Sequence, residues 1–217
     1  QPSHALLKDY GYLRLFDLIE TEGPGRVLEF GHGFNHSLLS RFQDRVEMHG
    51  IDDYQALPYF PPEDEWNAMY EEYIVTPCPG CTLHRGLLGD DSLDLEEGTF
   101  DVIASVSVLE ELPGPTLREA LVHAERLLKP GGLLAGTFDV QLTNLYGVKA
   151  FAEMLGELGF ATDNRIPDDP SSEFNSLLLE SPSTVMITYY MGQGEERDYA
   201  GHWSSVWFCA TKGNDEA

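Results

Sequence analysis

Two kinds of hydrophobic spacing alternate along the chain. Apolar residues three and four positions apart, the spacing of an amphipathic helix, recur over 6–19, 37–42, 61–73, 116–128 and 151–158. Short continuous apolar runs, typical of buried strands, lie between them at 26–30, 46–51, 82–88, 100–105 and 133–138. This alternation predicts βαβ units, and therefore a three-layer α/β sandwich with a doubly wound, mostly parallel sheet.

Turn and cap residues mark the ends of these elements. Residues 23–25, Gly-Pro-Gly, end the first helix, and residues 129–132, Lys-Pro-Gly-Gly, end the helix that precedes the 133–138 strand. Thr116 and Glu119 have the spacing of a capping box, which predicts a helix that begins with Thr116 as its N-cap.

The last third of the chain has a different pattern. Residues 163–183 are rich in Pro, Ser and Asp, and we interpret them as an inserted loop and a candidate lid. Residues 184–191 and 204–211 predict two strands joined by a polar loop. Because no internal repeat or low-complexity tract interrupts the chain, residues 1–217 are predicted to form one domain.

The charge balance narrows the range of partners. Lys and Arg number 13 against 37 Asp and Glu, which gives a net charge of −24 at pH 7. A surface this acidic repels nucleic acid and anionic membranes, so we predict neither as a partner. The chain has no apolar run of about 18 residues, no secretory pattern at its start, and three cysteines, which favours a reducing cytoplasm.

A glycine turn after the first predicted strand is the strongest sign of a binding site. The strand ends in Gly31-His32-Gly33 and a helix follows, so the backbone can approach a ligand closely. Glu29 stands before the turn, and Asp52 ends the next strand, where an acid can accept hydrogen bonds from ribose hydroxyls. Ligands of open α/β sheets bind at the carboxyl ends of the strands.

The spacing of the glycines restricts the classes of ligand that the turn could bind. A dinucleotide fingerprint requires a third glycine at the position of His36, and no Gly-Lys-Ser/Thr sequence follows to form a P-loop. The turn is therefore not built for a pyrophosphate. A ligand with an adenosine end and no phosphates fits the pattern better.

Five segments in order resemble the motifs of the class I S-adenosylmethionine-dependent methyltransferases. They are residues 27–33 (VLEFGHG), 49–52 (HGID), 89–92 (GDDS), 100–105 with 108–112 (FDVIAS and VLEEL), and 128–133 (LKPGGL). The resemblance implies S-adenosylmethionine as cofactor and the strand order of that family in a seven-stranded sheet. It divides the domain into an N-terminal helix at 1–25, a cofactor-binding core at 26–138 and a C-terminal part at 139–217.

The resemblance also implies roles for single residues. Glu29 would orient the turn and the amino group of the cofactor, and Gly31 and Gly33 would line its methionine and ribose portion. Asn35 stands where the family often has a third glycine, and it tolerates left-handed backbone well. The remaining implied cofactor contacts are Asp52 or Asp53 at the ribose, Asp90, Asp91 and Ser92 near the adenine, and Ser105 near the methionine end.

The segment expected to face the methyl acceptor departs from the sequence pattern of the family. The common Leu-Glu-His of relatives is here Leu109-Glu110-Glu111, which changes the residue that often faces the acceptor. Side chains that could act as a base are Glu111, His36, His123 and His202, and none is assigned as catalytic. We predict methyl transfer to a small molecule, with two rival hypotheses: a non-catalytic binding or scaffolding module, and a nicotinamide-dependent oxidoreductase.

A short cysteine pair lies outside these motifs. Cys78 and Cys81 form a CxxC, and His84 follows three residues later. A zinc site, a redox pair and an ordinary loop are all compatible with this spacing. We favour the ordinary loop because no fourth ligand is evident, and we predict no metal site.

Overall fold

The computed structural model describes residues 2–54, 63–90, 93–141, 146–162, 184–190 and 200–213. Its α-helices are α1 (Pro2–Glu22), α2 (Ser37–Phe42), α3 (Glu63–Tyr70), α4 (Gly114–Leu127) and α5 (Tyr146–Glu157). Its strands are β1 (Arg26–Phe30), β2 (Glu47–Asp52), β3 (Thr82–Arg85), β4 (Phe100–Val106), β5 (Leu128–Gln141), β6 (Phe160–Thr162), β7 (Thr184–Tyr190) and β8 (Ala200–Lys212). A π-helical turn, Glu71–Val75, follows α3, and a 3₁₀ turn, Leu109–Glu111, follows β4.

All eight strands belong to one sheet. Seven of them have the order β3-β2-β1-β4-β5-β8-β6, and β7 pairs with the first part of β8. The pairs among β1 to β5 are parallel, whereas β8 runs antiparallel to β5, β6 and β7. The prediction of a mostly parallel α/β sheet is confirmed, with β7 as an eighth strand beside the seven.

Hydrophobic residues cover both faces of this sheet. On one face, α1 and α2 pack Leu15, Ile19 and Leu38 against strand residues such as Val27 and Val102. On the other face, α4 and α5 bury a larger cluster of apolar side chains against β1, β4 and β5. The two faces give the three layers that the alternating hydrophobic pattern predicts.

Three element boundaries differ from the sequence-based expectations. The N-cap of α4 is Pro113, so Thr116 lies inside the helix and the predicted capping box is wrong. Pro113 has the extended backbone of an N-cap residue, with φ of −55° and ψ of 145°, so the helix begins earlier than predicted and without a side-chain cap hydrogen bond. Strand β5 begins at Leu128, before the predicted start at 133, and β3 ends at Arg85, before the predicted end at 88. Strand β6 is short, and its sequence pattern did not predict it.

Other predictions concern segments without a structural description. The candidate lid at 163–183 lies outside the described residues, as does the start of the predicted helix at 61–62. Within the described part of the chain, no helix combines the length and apolar character that crossing a bilayer requires.

Candidate cofactor site

The glycine turn joins β1 to α2 at the carboxyl end of the sheet. Both glycines have left-handed backbone, with φ of 73° at Gly31 and 56° at Gly33. A Cβ added at Gly31 would lie 2.4 Å from a methyl group of Val108, whereas one added at Gly33 would meet no atom within 4 Å. The first glycine therefore permits packing against the protein, and the second faces open space where a ligand could lie.

Asp52 braces this turn. Its Oδ2 accepts a hydrogen bond from the Gly33 N–H at 2.7 Å, and its Oδ1 accepts one from the Tyr54 N–H at 2.6 Å. Burial raises the pKa of the Asp52 carboxyl, while these two N–H groups oppose that shift. Each carboxylate oxygen has a second lone pair, so the brace leaves acceptor capacity for ligand hydroxyls.

A cavity of about 360 Å³ opens beside the turn. Its acidic side chains are Asp52, Asp53 and Glu111, and its one basic side chain among the lining residues is Lys8 from α1. The other lining residues are mainly glycines and apolar side chains: Phe30, Gly31, Gly33, Ile51, Tyr54, Gly86, Leu87, Leu88, Ser107, Val108, Leu112, Thr116 and Ala120. The volume and mixed lining are typical of a small-molecule site.

Glu29 lies behind the turn, on the side of α1. The Tyr12 hydroxyl donates a hydrogen bond to its Oε1 at 3.0 Å, and Oε2 is buried without a partner among the described residues. Burial raises the pKa of Glu29 to about 8, against the opposing effect of the Tyr12 hydrogen bond. The carboxyl is therefore largely protonated at neutral pH and does not line the cavity.

Tyr54 contributes an aromatic wall to the cavity and packs against His32. Tyr54 has φ of 58°, lines the cavity, and packs its ring edge-on against His32. Burial lowers the pKa of His32 to about 4, so its imidazole is neutral. A tyrosine with positive φ is rare, and nothing in its local sequence except the two preceding aspartates suggested a special position.

Asn35 does not take the expected left-handed backbone. Among the described non-glycine residues, positive φ occurs at Tyr54 and Ser107, and Asn35 is not one of them. Its Oδ1 instead accepts a hydrogen bond from the Ser37 N–H at 2.9 Å, at the start of α2. The residue closes the turn through its side chain, so a third glycine-like backbone is not needed.

The end of strand β4 contributes Ser107 and Val108 to the cavity lining. Ser105, expected to contact the cofactor through its backbone, has a fully buried side chain, and that contact stays a prediction. Ser107 has left-handed backbone, with φ of 54°, which turns the chain at the end of the strand. Backbone strain of this kind often accompanies functional sites.

The predicted adenine-side residues are only partly described. Asp90 lines a second cavity of about 260 Å³, together with His123 and Arg126 of α4. Leu88 lines both cavities, so Asp90 lies near the border of the first. Asp91 and Ser92 lie outside the described residues.

A second buried carboxyl lies at the ends of β4 and β5. Burial raises the pKa of Glu110, the nearby charge of Asp139 raises it further, and its Oε2 has no partner among the described residues. The Ser205 hydroxyl donates a hydrogen bond to Asp139 at 2.6 Å. Sequence reasoning noted Glu110 only as part of a motif, because its burial depends on strands far apart in the chain.

The cysteine segment packs as a turn against α2. Cys78 is buried, the Cys81 thiol lies 3.7 Å from the Leu39 carbonyl oxygen, and the neighbouring Cys81 sulfur lowers the pKa of Cys78. His84 lies elsewhere, with its Nε2 3.2 Å from Nδ1 of His49. His84 is therefore engaged with another histidine rather than with the cysteine pair.

A family model and solved structures resemble the chain. Residues 78–136 match a family described as Methyltransferase domain, a segment that holds β3, β4, α4 and the start of β5. Among solved structures, a putative methyltransferase from Bacillus halodurans is 15% identical with a TM-score of 0.60, over 93% of this chain and 98% of that one. A search of curated proteins gave no match.

Two further structures share the fold. The 1,6-didemethyltoxoflavin-N1-methyltransferase of Burkholderia thailandensis, solved with S-adenosylhomocysteine, is 14% identical with a TM-score of 0.55 over 98% of this chain and 82% of its own. The CurJ carbon methyltransferase is 16% identical with a TM-score of 0.53, and this chain spans 52% of its length. The chain therefore matches the methyltransferase-domain family over residues 78–136 and shares the fold of these methyltransferase structures.

The residues around the glycine turn fit S-adenosylmethionine, the cofactor that the sequence resemblance implies, on structural grounds. Gly33 faces open space, the Asp52 oxygens keep lone pairs, and the cavity lies at the carboxyl ends of β1 and β2. The acidic lining also suits a ligand that carries a sulfonium and an ammonium group.

The fold places one candidate base in the cavity. Glu111 lines it and is exposed, whereas His123 lines the second cavity. The Nδ1 of His36 lies 3.1 Å from the Ser40 hydroxyl, and His36 is not among the lining residues. The side chain of His202 lies outside the described residues.

Proposed function

We propose that the cavity beside the glycine turn binds S-adenosylmethionine and that its methyl group passes to a small organic acceptor. Gly31 and Gly33 would line the methionine and ribose portion, and Asp52 and Asp53 would accept hydrogen bonds from the ribose hydroxyls. Glu29 and Asn35 would act from behind the turn by holding its shape. Asp90, Asp91, Ser92 and Ser105 remain predicted contacts.

The charge of the cavity is the observation that carries this proposal. Three acids and one lysine give a net negative site, and the turn lacks the third glycine of a dinucleotide fingerprint. S-adenosylmethionine has a net positive charge, whereas a pyrophosphate would meet repulsion from Asp52, Asp53 and Glu111. Electrostatics therefore favours the sulfonium cofactor over nicotinamide dinucleotides.

A small acceptor follows from size and surface charge. The cavity is of small-molecule size, and the net charge of −24 repels nucleic acid. Leu87, Val108 and Leu112 give it an apolar part. The structure of the 1,6-didemethyltoxoflavin-N1-methyltransferase, which contains bound 1,6-didemethyltoxoflavin, supports the same class.

The protein contributes mainly positioning to such a reaction. When bound, S-adenosylmethionine supplies an electrophilic methyl carbon, and alignment with the acceptor atom accounts for much of the rate. Glu111 lines the cavity and would accept a proton from a hydroxyl or ammonium acceptor. Val108 and Leu112 would exclude water from one side of the site.

A label-partition experiment tests the proposal. The protein is incubated with S-adenosylmethionine carrying a labelled methyl group and with a cell extract separated into low-mass, protein and nucleic-acid fractions. We expect protein-dependent label in the low-mass fraction. Label confined to protein or nucleic acid would overturn the acceptor class.

A matched pair of variants tests the cofactor site. Asp52→Asn should weaken S-adenosylhomocysteine binding by about 1.5–3 kcal/mol, since a charged acceptor is lost, and Asp53→Asn should have a smaller effect. Calorimetry with NAD on the same proteins gives the contrast. Tight NAD binding by the wild type, without S-adenosylhomocysteine binding, would contradict the proposed cofactor.

The same two measurements, label transfer and calorimetry with S-adenosylhomocysteine, distinguish an enzyme from the non-catalytic alternative. It is motivated by Glu111, which stands where relatives often have a histidine. A binding module would bind S-adenosylhomocysteine in calorimetry but transfer no label to any fraction. An enzyme would show both.

A further inference from the structure

A tight turn brings together the two cysteines of residues 78–81. The Cys81 N–H donates a hydrogen bond to the Cys78 carbonyl oxygen at 3.0 Å, which closes a four-residue turn, and both cysteines are free thiols. The α-carbons at the two ends of such a turn lie within about 7 Å, and disulfides join α-carbons about 4.4–6.8 Å apart. The backbone of the reduced protein therefore already suits a Cys78–Cys81 disulfide.

The two sulfurs are also in contact. The Cys81 thiol lies 3.7 Å from the Leu39 carbonyl oxygen and hydrogen-bonds the Cys78 sulfur, which lowers the pKa of Cys78. The hydrogen-bonded pair therefore holds one negative charge more readily than an isolated thiol does. Because the remaining proton lies between the two sulfurs, either sulfur can carry that charge, and the thiolate is the reactive form in disulfide exchange.

Solvent exposure distinguishes the two sulfurs. Cys78 is 1% exposed and belongs to the hydrophobic cluster on the face of the sheet that α1 and α2 cover. Cys81 is partly exposed, and Pro79 and Gly80 between them are exposed. A disulfide in solution can therefore meet Cys81 but not Cys78. This asymmetry suits an entry sulfur at Cys81 and a resolving sulfur at Cys78.

Gln43, the C-cap residue of α2, holds the turn from both sides. Its Oε1 accepts a hydrogen bond from the Gly80 N–H at 2.9 Å, and its Nε2 donates one to the Pro77 carbonyl oxygen at 3.0 Å. Neither bond involves a sulfur, so the turn can keep its shape when the sulfurs react. A disulfide across so short a loop removes little chain entropy, which favours a bond that opens and closes over a permanent link.

The third cysteine is too distant to compete as a partner. Cys209 lies on β8, whereas the turn leads into β3, and β2, β1, β4 and β5 lie between these strands in the sheet. Neighbouring strands are about 4.8 Å apart, which places the two ends of that row far beyond the reach of a disulfide. Cys78 and Cys81 can therefore pair only with each other or with a sulfur from solution.

We propose that Cys78 and Cys81 form a thiol–disulfide exchange site for low-molecular-weight disulfides. Cys81, after losing its proton to solvent, attacks one external sulfur; a bond forms to Cys81, the external S–S bond breaks, and the departing thiolate takes up a proton. Cys78 then attacks Cys81, the mixed disulfide breaks, and the second departing thiolate takes up the proton that Cys78 loses. Two protein thiols are oxidised, and one external disulfide is reduced to two thiols.

Trapping of free thiols tests the proposal. The reduced protein is incubated with oxidised glutathione, quenched with an alkylating reagent, digested and analysed by mass spectrometry. In the wild type, we expect Cys78 and Cys81 to lose alkylation together, with no glutathione left on either, and dithiothreitol to restore both thiols. Glutathione that stays on Cys81 of the wild type, or continued alkylation of both cysteines, would overturn the proposal.

Single variants test the order of the two steps. Cys78→Ala should stop at a stable mixed disulfide that carries one glutathione on Cys81. Cys81→Ser should react about tenfold more slowly or less, because its remaining thiol at position 78 is buried. Cys209→Ser is the matched control and should close the pair at the wild-type rate. Circular dichroism checks that each variant is folded, and equal reactivity of Cys78→Ala and Cys81→Ser would contradict the assigned entry sulfur.

Discussion

The carboxyl ends of two strand pairs, β1–β2 and β4–β5, each contain a buried carboxyl, but the two regions are built differently. Behind the β1–β2 end, Glu29 is held by one long-range side-chain bond from Tyr12 of α1. At the β4–β5 end, Glu110 lies near Asp139, which in turn accepts from Ser205 of β8. Both carboxyls have a raised pKa because of burial.

The two regions differ in how far apart in the sequence their contacting residues lie. The turn between β1 and α2 concentrates its glycines and its side-chain cap within a few residues. The β4–β5 end depends on close backbone approach between strands, most clearly where Ser105 pairs with Gly136. At Gly33 the turn has room for a Cβ, whereas at Gly136 the paired strands leave none.

Gly136→Ala should have the largest effect on stability, because an added side chain would disrupt this close approach of the two strands. A Cβ at Gly136 would lie 1.7 Å from the Ser105 carbonyl oxygen, so the paired strands would have to separate. We expect a loss of about 4 kcal/mol or more in the free energy of unfolding, or no folded protein. Denaturant unfolding followed by circular dichroism measures it.

Gly156→Ala is the matched control for that substitution. Gly156 lies in α5, and an added Cβ there would meet no atom within 4 Å. The change should stabilise the protein by up to about 1 kcal/mol, because alanine is the better helix former. A similar effect of both substitutions would show that the β4–β5 pairing is looser than described.

Gly31→Ala and Gly33→Ala test whether the glycine turn has a packed side and an open side. Both positions have positive φ, so each alanine carries a backbone penalty of about 1–2 kcal/mol. Gly31→Ala adds a clash with Val108 and should cost about 3 kcal/mol in total. Adding Val108→Ala to Gly31→Ala should relieve part of the loss, which a double-mutant cycle detects. Equal losses at the two glycines would contradict the distinction.

Glu29→Gln tests the buried carboxyl itself, and its readout is the slope of stability with pH. Between the ordinary value of 4.5 and the raised pKa of about 8, the folded protein binds more protons at Glu29 than the unfolded chain does. Stability from this group therefore falls as pH rises, by about 1.4 kcal/mol per pH unit, and Glu29→Gln should remove that slope.

The comparison uses the difference between the stability-versus-pH curves of the wild type and of Glu29→Gln, because the contribution of His32 is present in both curves and cancels. His32 acts with the opposite sign, because its pKa of about 4 lies below the ordinary value of 6.5 and its stability contribution rises over that range. Glu110→Gln should remove a slope of the same sign as Glu29→Gln. A difference curve that is flat from pH 5 to 8 would contradict the raised pKa of Glu29.

Local sequence predicts part of the cavity lining. Gly31, Gly33 and Asp52 stand out because a strand, a glycine turn and an acid at the next strand end form a compact signal. Ser107 and Lys8 line the same cavity without such a signal. Each reaches it through a distant element or an unusual backbone angle that residue type does not reveal.

The sequence by itself determined the class of fold, the location of the glycine turn and the acidic character of the molecule. Hydrophobic periodicity sets which residues are buried in each element, and residue type sets charge. Tertiary structure alone decided that Glu29 faces Tyr12 and that Lys8 joins the cavity. These facts depend on which elements meet across the sheet, because burial and proximity between residues far apart in the chain arise only when the strands assemble.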